Sequence, residues 1–297
     1  MRITDLLVFD RARLDTARAR EAAEAAQQRV STGTRIAHPG DDPAGAGLAV
    51  AFRMSSERLG AIQAATATAA DELNAADGAL DGVTNALTRA RELAVQFAND
   101  TYSAADRAVG GQEVAGLFTQ VVSNLNLRFG NRYLFGGTRD AAPPFDAAGT
   151  YSGSTGAAAA RQVEIAPGVY QDASVRADVA VLGAGGGTNV LDALRALQHA
   201  LEAGDGAAVQ QSVDGIDAAL RQVAATRAEA GTSADALGAA SAAAKIASGD
   251  DEVRAAKQGE VDLADAAIQL QATQNALQAA LAASAQGFRA SLLDYLR

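Results

Sequence analysis

Two adjacent acids, Asp41 and Asp42, are the residues of this 297-residue sequence whose type and spacing could do chemistry. A carboxylate pair can bind a cation or act as general acid and base. Here the pair stands directly before Pro43, where acids commonly cap the first turn of a helix and face the positive end of its dipole. We therefore expect a helix cap and not a catalytic or metal site.

Other reactive groups are scarce. The sequence contains no Cys and two isolated histidines, His38 and His199, so neither a thiolate nor an imidazole metal site is expected. The glycines at 183 and 185–187 precede a helix, but their spacing fits neither nucleotide-binding loop, and we interpret them as a flexible connector. We find no Ser-His-Asp or Cys-His set, and we predict no enzyme activity and no cofactor.

The composition favours long helices over a globular core. Hydrophobic residues make up 48% of the chain, yet aromatics make up 4% and Trp is absent, with Ala supplying much of the apolar share. Small side chains let helices approach closely but bury little area, which suits slender bundles without a deep pocket. The formal net charge of -10 argues against binding a nucleic acid backbone.

Neither apolar stretch of the chain indicates a membrane. The N-terminal apolar run is interrupted by Asp5 and Asp10 and precedes no small-residue cleavage site, so we do not expect a cleavable signal peptide. The longest uncharged window, residues 266–288, is long enough to span a bilayer but contains five glutamines. We reject a membrane span.

Both ends of the chain show helical apolar stripes. The C-terminal stripe has spacings near three and four and consists of Leu263, Ala267, Leu270, Leu277, Leu281, Phe288 and Leu292. The weaker N-terminal stripe consists of Ile3, Leu7, Leu14, Ala17 and Val30. Because an isolated helix is marginally stable, we predict that the two ends form one antiparallel coiled coil. The uncharged window needs cover on further sides, which neighbouring subunits could provide.

In the interior, the sequence predicts helical structure from 44 to about 128. The glycines at Gly130 and Gly136-Gly137 are typical of turns and end this region. Residues 161–166 and 174–181 alternate like short strands, and helix resumes after a predicted N-cap at Asn189 and again over residues 205–248. The predicted fold is mainly α, a long antiparallel helical bundle and terminal coiled coil with a small β-rich insertion. The predicted domains are a terminal polymerisation domain (1–43 and 250–297), a helical bundle (44–130 and 189–249) and the insertion (131–188).

The residues 30–49, VSTGTRIAHPGDDPAGAGLA, resemble the segment after the first helix of the bacterial flagellin family, with Arg35, Ile36, Asp41 and Asp42 at its motif positions. The C-terminal stretch from Leu263 to Leu296 resembles the terminal helix of that family. The flagellin-like fold agrees with the predicted order of helices.

A second motif indicates which members of the flagellin family this sequence resembles. The six residues that carry it are Tyr133, Leu134, Phe135, Gly136, Gly137 and Thr138. Together with the closing LLDYL they are similar to the family members that form the junction between hook and filament, and less similar to the filament flagellin.

The resemblance implies a structural flagellar subunit that is exported through the flagellar type III pathway and located outside the cell. The implied partners are further copies in a ring-like oligomer, the first hook-associated protein, flagellin, and a cytoplasmic chaperone on the C-terminal helix. The residues expected at subunit contacts are Ile3, Leu7, Leu14, Leu263, Leu270, Leu277, Leu281, Phe288, Leu292, Leu293 and Leu296. The alternatives are a filament flagellin, a cytoplasmic coiled-coil adaptor, or an enzyme on a helical bundle.

Overall fold

The structure, a computed structural model, describes the backbone of residues 2–99 and 101–295 and the side chains of residues 10–99, 101–156 and 158–286. The chain divides into two compact units. The terminal unit comprises Met1–Arg58 and Ala247–Arg297, and the central unit comprises Leu59–Ile246. Within the described part of the chain, no helix has the length and apolar character needed to cross a membrane.

Seven α-helices and four short strands make up the described chain, so the prediction of a mainly α fold with a small β insertion is confirmed. In chain order the elements are α1 (Arg2–Thr32), α2 (Pro43–Phe97), α3 (Ala104–Leu125), β1 (Arg128–Phe129), β2 (Arg132–Tyr133), β3 (Gln162–Ala166), β4 (Val169–Asp172), α4 (Ala177–Ala180), α5 (Val190–Glu202), α6 (Gly206–Gly259) and α7 (Leu263–Tyr295).

The core of the central unit lies among α2, α3, α5 and α6. Leucines of α2 at positions 80 and 87 are fully buried, and α3 packs against α5. α5 begins where the sequence predicts, because the Asn189 side chain accepts hydrogen bonds from the amides of Leu191 and Asp192. This core holds the large buried side chains of the described protein.

The helical region predicted from 44 to about 128 consists of two helices. α2 ends at Phe97 and α3 begins at Ala104, after a capping box in which Ser103 and Asp106 exchange hydrogen bonds. The capping box supplies partners for the first amides of α3, which explains why a new helix can begin there. Near the other end, α6 continues to Gly259, past the predicted end at 248.

The β insertion consists of two antiparallel hairpins, β1–β2 and β3–β4. The predicted strand at residues 161–166 matches β3, but the predicted strand at 174–181 is wrong. Gly168 has φ +79°, which turns the chain back immediately, so the returning strand is Val169–Asp172. The later residues form α4 instead, and the Asp178 carboxylate there accepts a hydrogen bond from the Gly156 amide at 2.8 Å.

The glycine connector before α5 has defined hydrogen bonds. The Gln222 side chain accepts a hydrogen bond from the Thr188 amide at 2.8 Å and donates to the carbonyls of Thr188 and Ala180, both at 3.0 Å. We expected this connector to be flexible. Its C-terminal end, at Thr188, is instead hydrogen-bonded to Gln222 of α6.

Candidate assembly interface

α1 and α7 form an antiparallel pair within the terminal unit. The hydroxyls of Thr16 and Ser284 lie 3.0 Å apart, and Thr34 pairs with Glu260 in an antiparallel bridge. Positions early in one helix thus meet positions late in the other. The predicted pairing of the two chain ends is present in the structure.

The surfaces that face each other in this pair consist mainly of small side chains, with Val30, Leu270 and Leu277 among them. Buried and half-buried positions repeat at alternating intervals of four and three, which is the spacing of a coiled-coil seam. On α1 they are Ala12, Thr16, Ala19, Ala23, Ala26 and Val30. On α7 they are Ala266, Leu270, Thr273, Leu277, Ala280 and Ser284. Leu270 and Leu277 of the predicted contact set therefore lie on the inner face of the pair.

The outer faces of the same helices carry large apolar side chains. Leu14 is 55% exposed, Leu263 61%, Ile268 68% and Leu281 52%. The apolar stripes predicted from the sequence agree with the observed seam only in part, because Val30, Leu270 and Leu277 lie on the seam whereas other large residues of the stripes lie on the outer face. Leu14, Leu263 and Leu281 are thus free to contact another molecule.

The remaining predicted contact residues have positions that the structure describes only in part. Ile3 and Leu7 lie in α1, and Phe288, Leu292 and Leu293 lie in α7. Their side chains are outside the described set, and Leu296 lies outside the described residues.

Burial in the terminal unit is restricted to alanine among apolar residues. Its buried hydrophobic side chains, within the described positions, are Ala23, Ala26, Ala49, Ala255 and Ala266. Eight of its larger apolar side chains are exposed, namely Leu14, Leu48, Val50, Met54, Val253, Leu263, Ile268 and Leu281. These are eight of the fourteen exposed large apolar side chains, although the unit contributes about a third of the described residues. Such a concentration is typical of interaction surfaces.

Charge is distributed unevenly between the units. The terminal unit has thirteen basic and fifteen acidic residues, whereas the central unit has twelve basic and twenty acidic residues. The formal charge of the terminal unit is therefore -2 and that of the central unit is -8. Self-repulsion between copies is correspondingly weak at the terminal unit.

The flagellin-like motif at residues 33–42 forms a loop beside the link between α6 and α7. The Arg35 amide donates to the Gly259 carbonyl at 2.8 Å, and the Val261 amide donates to the Gly33 carbonyl at 3.0 Å. The Arg35 guanidinium donates to the Gln258 carbonyl and to Asp42. Ile36, next in the motif, is half-buried.

The acidic pair of the motif caps a helix and a turn. Asp42 Oδ1 accepts a hydrogen bond from the Gly45 amide at 2.9 Å at the start of α2, and Asp41 accepts one from the His38 amide at 2.9 Å. The Gly45 amide, followed by Arg35, holds the pKa of Asp42 below its ordinary value. Asp42 thus caps the helix as the sequence indicates, whereas Asp41 closes the turn before it.

The second motif, residues 133–138, is a packed turn. Phe135 is fully buried, and the Tyr151 hydroxyl lies 3.1 Å from the Phe135 carbonyl and 2.8 Å from that of Ser154. The hydroxyls of Thr138 and Ser154 lie 2.7 Å apart. Gly137 has φ +65°, and a Cβ there would approach Ala159 and Ser154 to 3.0 Å.

The other residues of this motif also serve packing. The Tyr133 amide donates to the Asp140 carbonyl and the Leu134 amide to the Leu127 carbonyl, while the Gly136 carbonyl accepts from the Ser154 amide. These hydrogen bonds fix the turn against the neighbouring strand and loop. The motif therefore supports the fold, and nothing in its geometry resembles a catalytic arrangement.

One charged cluster has no signal in the sequence. Glu72 of α2 is buried and receives hydrogen bonds from Arg132 of β2 and from Arg161, which directly precedes β3. The three residues are separated by 60 and 89 positions, so only the tertiary fold brings them together. Throughout the described residues, no group of His, Cys, Asp and Glu is arranged to hold a metal ion.

A terminal unit in which α1 pairs with α7, together with a helical central unit that contains a hairpin insertion, is the architecture of a flagellin-like protein. Residues 7–140 match the bacterial flagellin N-terminal helical region. The resemblance to the flagellin family that the sequence motifs indicate is thereby confirmed.

The individual relatives include both hook-associated proteins and flagellins. Flagellar hook-associated protein 3 of Salmonella typhimurium is 34% identical over 128 residues, covering 42% of this chain and 40% of that protein. B-type flagellin of Pseudomonas aeruginosa is 39% identical over 115 residues, covering 37% of this chain and 23% of that protein. The matched region thus spans less than half the length of these curated relatives.

One solved structure is similar to this chain over a longer range than the sequence relatives are. A flagellar hook-associated protein from Vibrio parahaemolyticus superimposes with a TM-score of 0.62 at 23% identity, covering 72% of this chain and all of the other. At this identity the match establishes the fold, which is that of flagellar hook-associated proteins.

Proposed function

We propose that this protein is a structural subunit of the bacterial flagellum that forms the junction between hook and filament. It polymerises through its terminal helices and performs no catalysis. The observation that carries the proposal is the terminal unit, in which the fully buried apolar side chains among the described residues are all alanine and eight larger ones are exposed. The names of the hook-associated relatives support the assignment to the junction.

The outer face of α7 is the central part of the proposed contact surface. Residues 266–286 contain no charge, and fifteen of these twenty-one residues are exposed in the single chain. A helix with exposed leucine and isoleucine and without charges is favourable in water only when another surface covers it. Covering a side chain such as Ile268 or Leu281 contributes about 1.5–3 kcal/mol.

The finer elements of the proposal come from the family resemblance. The partners are further copies of the chain, the first hook-associated protein on one side and flagellin on the other. A cytoplasmic chaperone binds the C-terminal helix before export, and the assembled protein lies outside the cell. A terminal pair that becomes fully packed only beside neighbouring subunits confines polymerisation to the growing tip.

Electron microscopy with gold-labelled antibody tests the location. An antibody against the central unit should label isolated flagella in one narrow band where the hook meets the filament. Deletion of the gene should leave hooks without filaments and should release flagellin into the medium. Label along the whole filament would instead identify the protein as a filament flagellin, the second candidate.

A matched pair of variants tests the surface. The double change Ile268→Asp and Leu281→Asp places two charges on the outer face of α7, and we expect it to remove the junction band. Val169→Asp changes an equally exposed apolar residue of the central unit and should leave the band intact. Both proteins are checked first by circular dichroism. A normal junction with folded Ile268→Asp/Leu281→Asp protein would exclude this face as the contact surface.

A further inference from the structure

Glu72 of α2 is a buried carboxylate that two arginines share. Its side chain is 10% exposed, and each of its oxygens has a separate donor. Arg132 Nη2 donates a hydrogen bond to Oε1, and Arg161 Nη2 donates one to Oε2. A carboxylate out of contact with water requires such partners, because the loss of hydration disfavours its charge. The two arginines therefore hold Glu72 in its buried position.

The two arginines belong to different hairpins of the β insertion. Arg132 lies in β2, next to the turn of the first hairpin. Arg161 lies at the base of the second hairpin, where its carbonyl accepts a hydrogen bond from the Ala173 amide at 2.7 Å and its guanidinium donates to the Ala173 carbonyl at 3.2 Å. The strands of the two hairpins form separate sheets within the described insertion. Glu72 thus joins the tip of one hairpin and the base of the other to the same helix.

The hairpins themselves keep water away from Glu72. A small cavity beside the carboxylate has walls from the first hairpin and from the segment that follows the second. These wall residues include Phe129, Tyr133, Leu134, Ala173, Ser174 and Val175. If one hairpin moves away from α2, water reaches the carboxylate. The remaining ion pair is then surrounded by water, where such a pair stabilises little.

We propose that Glu72 couples the two hairpins, so that they open from α2 together. Release of Arg132 exposes the carboxylate to water, weakens its ion pair with Arg161 and thereby frees the base of the second hairpin. Release of Arg161 acts on the first hairpin in the same way. The β insertion is then one cooperative module, and a molecule that displaces one hairpin also displaces the other. This coupling is a property of the single chain and does not depend on the proposed function.

Hydrogen exchange of the full-length free protein, followed by mass spectrometry of its peptides, tests the coupling. Arg132→Ala removes a contact of the first hairpin, so amides of residues 128–140 should exchange faster. The informative peptide is 161–174, whose own contacts with Glu72 this substitution leaves in place. We expect exchange in 161–174 to accelerate at least about tenfold as well. Arg161→Ala should have the corresponding effect on residues 128–140.

Further variants separate the coupling from general damage. Arg139→Ala changes an exposed arginine that follows the first hairpin and should leave both peptides unchanged. Glu72→Gln keeps the size of the side chain but removes its charge, and should accelerate both peptides together. In the Glu72→Gln protein, adding Arg132→Ala should cause no further acceleration in 161–174, because the shared charge is already absent. The α5 peptide, residues 190–202, is the internal reference and should not change.

Three results would overturn the coupling. If Arg132→Ala accelerated exchange in 128–140 alone, or in neither peptide, the hairpins would open independently. If exchange in 161–174 became slower, repulsion between the two guanidinium groups would dominate. If α5 accelerated equally, the substitution would act on the whole central unit. Because these measurements use the free protein, an antibody label along the whole filament would reject the junction role and leave this result unaffected.

Discussion

Arg107 is a buried guanidinium that joins three separate backbone segments. It is 8% exposed and donates to the carbonyls of Phe97 at 2.9 Å, Asn99 at 3.1 Å and Gly204 at 3.1 Å. These carbonyls belong to the end of α2, the loop that follows it, and the turn between α5 and α6. A charged donor satisfying several carbonyls stabilises more than a neutral one.

Arg107→Ala should therefore destabilise the protein by about 2–4 kcal/mol, since it leaves three carbonyls without this donor and opens a cavity. Urea denaturation followed by circular dichroism measures the change. Arg139→Ala, at an exposed arginine of the same unit, is the control and should change stability by less than about 0.5 kcal/mol. Equal effects of the two substitutions would contradict this role.

Tyr151 links the ionisation of one residue to the stability of the central unit. Burial, together with the nearby Asp178 charge, raises its pKa to about 12. The unfolded chain loses this proton near pH 10, its ordinary value. The contribution of the protonated hydroxyl is thus complete below pH 10 and is lost as the pH rises from 10 towards 12.

Absorbance at 295 nm between pH 8 and 12.5 measures tyrosinate formation. The protein should show a late step of tyrosine ionisation, and Tyr151→Phe should remove it. The loss of stability between pH 10 and 12 should also become smaller in the variant. If Tyr151→Phe instead left the late step in place and removed ionisation near pH 10, Tyr151 itself would ionise near pH 10.

At the scale of elements, two glycines in the same helix are expected to have opposite roles. Gly110 and Gly116 both lie in α3. A Cβ on Gly110 would lie 2.4 Å from the Phe97 ring, whereas a Cβ on Gly116 would meet nothing within 4 Å. Glycine is therefore needed at the first position for close packing and only weakens the helix at the second.

Gly116→Ala should stabilise the protein by about 0.5–1 kcal/mol, through the higher helix propensity of alanine. Gly110→Ala should destabilise it by about 1–3 kcal/mol, because the added methyl overpacks the core. Thermal and urea unfolding of both variants gives the comparison. Stabilisation by both substitutions would show that Phe97 moves aside without cost.

At the scale of the whole molecule, the distribution of buried apolar side chains predicts unequal local stability. The central unit buries leucine, valine, isoleucine and phenylalanine, whereas the terminal unit buries alanine. Each alanine contributes far less transfer free energy than a leucine. The pairing of α1 with α7 is therefore present in the structure but weakly stabilised within one chain.

Hydrogen exchange of the free protein should show this difference. Amides of residues 10–32 and 263–286 should exchange at least about a hundredfold faster than those in the buried parts of α2 and α3. In isolated flagella the same amides should become protected. Slow exchange at both ends of the free protein would weaken the proposal that the terminal helices require neighbouring subunits.

The sequence by itself determined the fold class, the helical caps at Asp42 and Asn189, and the resemblance to the flagellin family. These depend on local chemistry: acids before a proline, an asparagine before an apolar helix, and glycines where the chain turns. Apolar spacing also indicated that the chain ends are helices. It did not reveal which face of each helix lies inside, because alanine occurs on both faces and is compatible with either position.

Only the tertiary structure decided that α1 and α7 meet through a seam rich in alanine and expose Leu14, Ile268 and Leu281. It also decided that β4 precedes the predicted strand, and that Glu72 joins two hairpins. The physical reason is common to these cases. Seam choice, strand return and ion pairing are set by residues far apart in the chain, whose distances are fixed only when the helices pack.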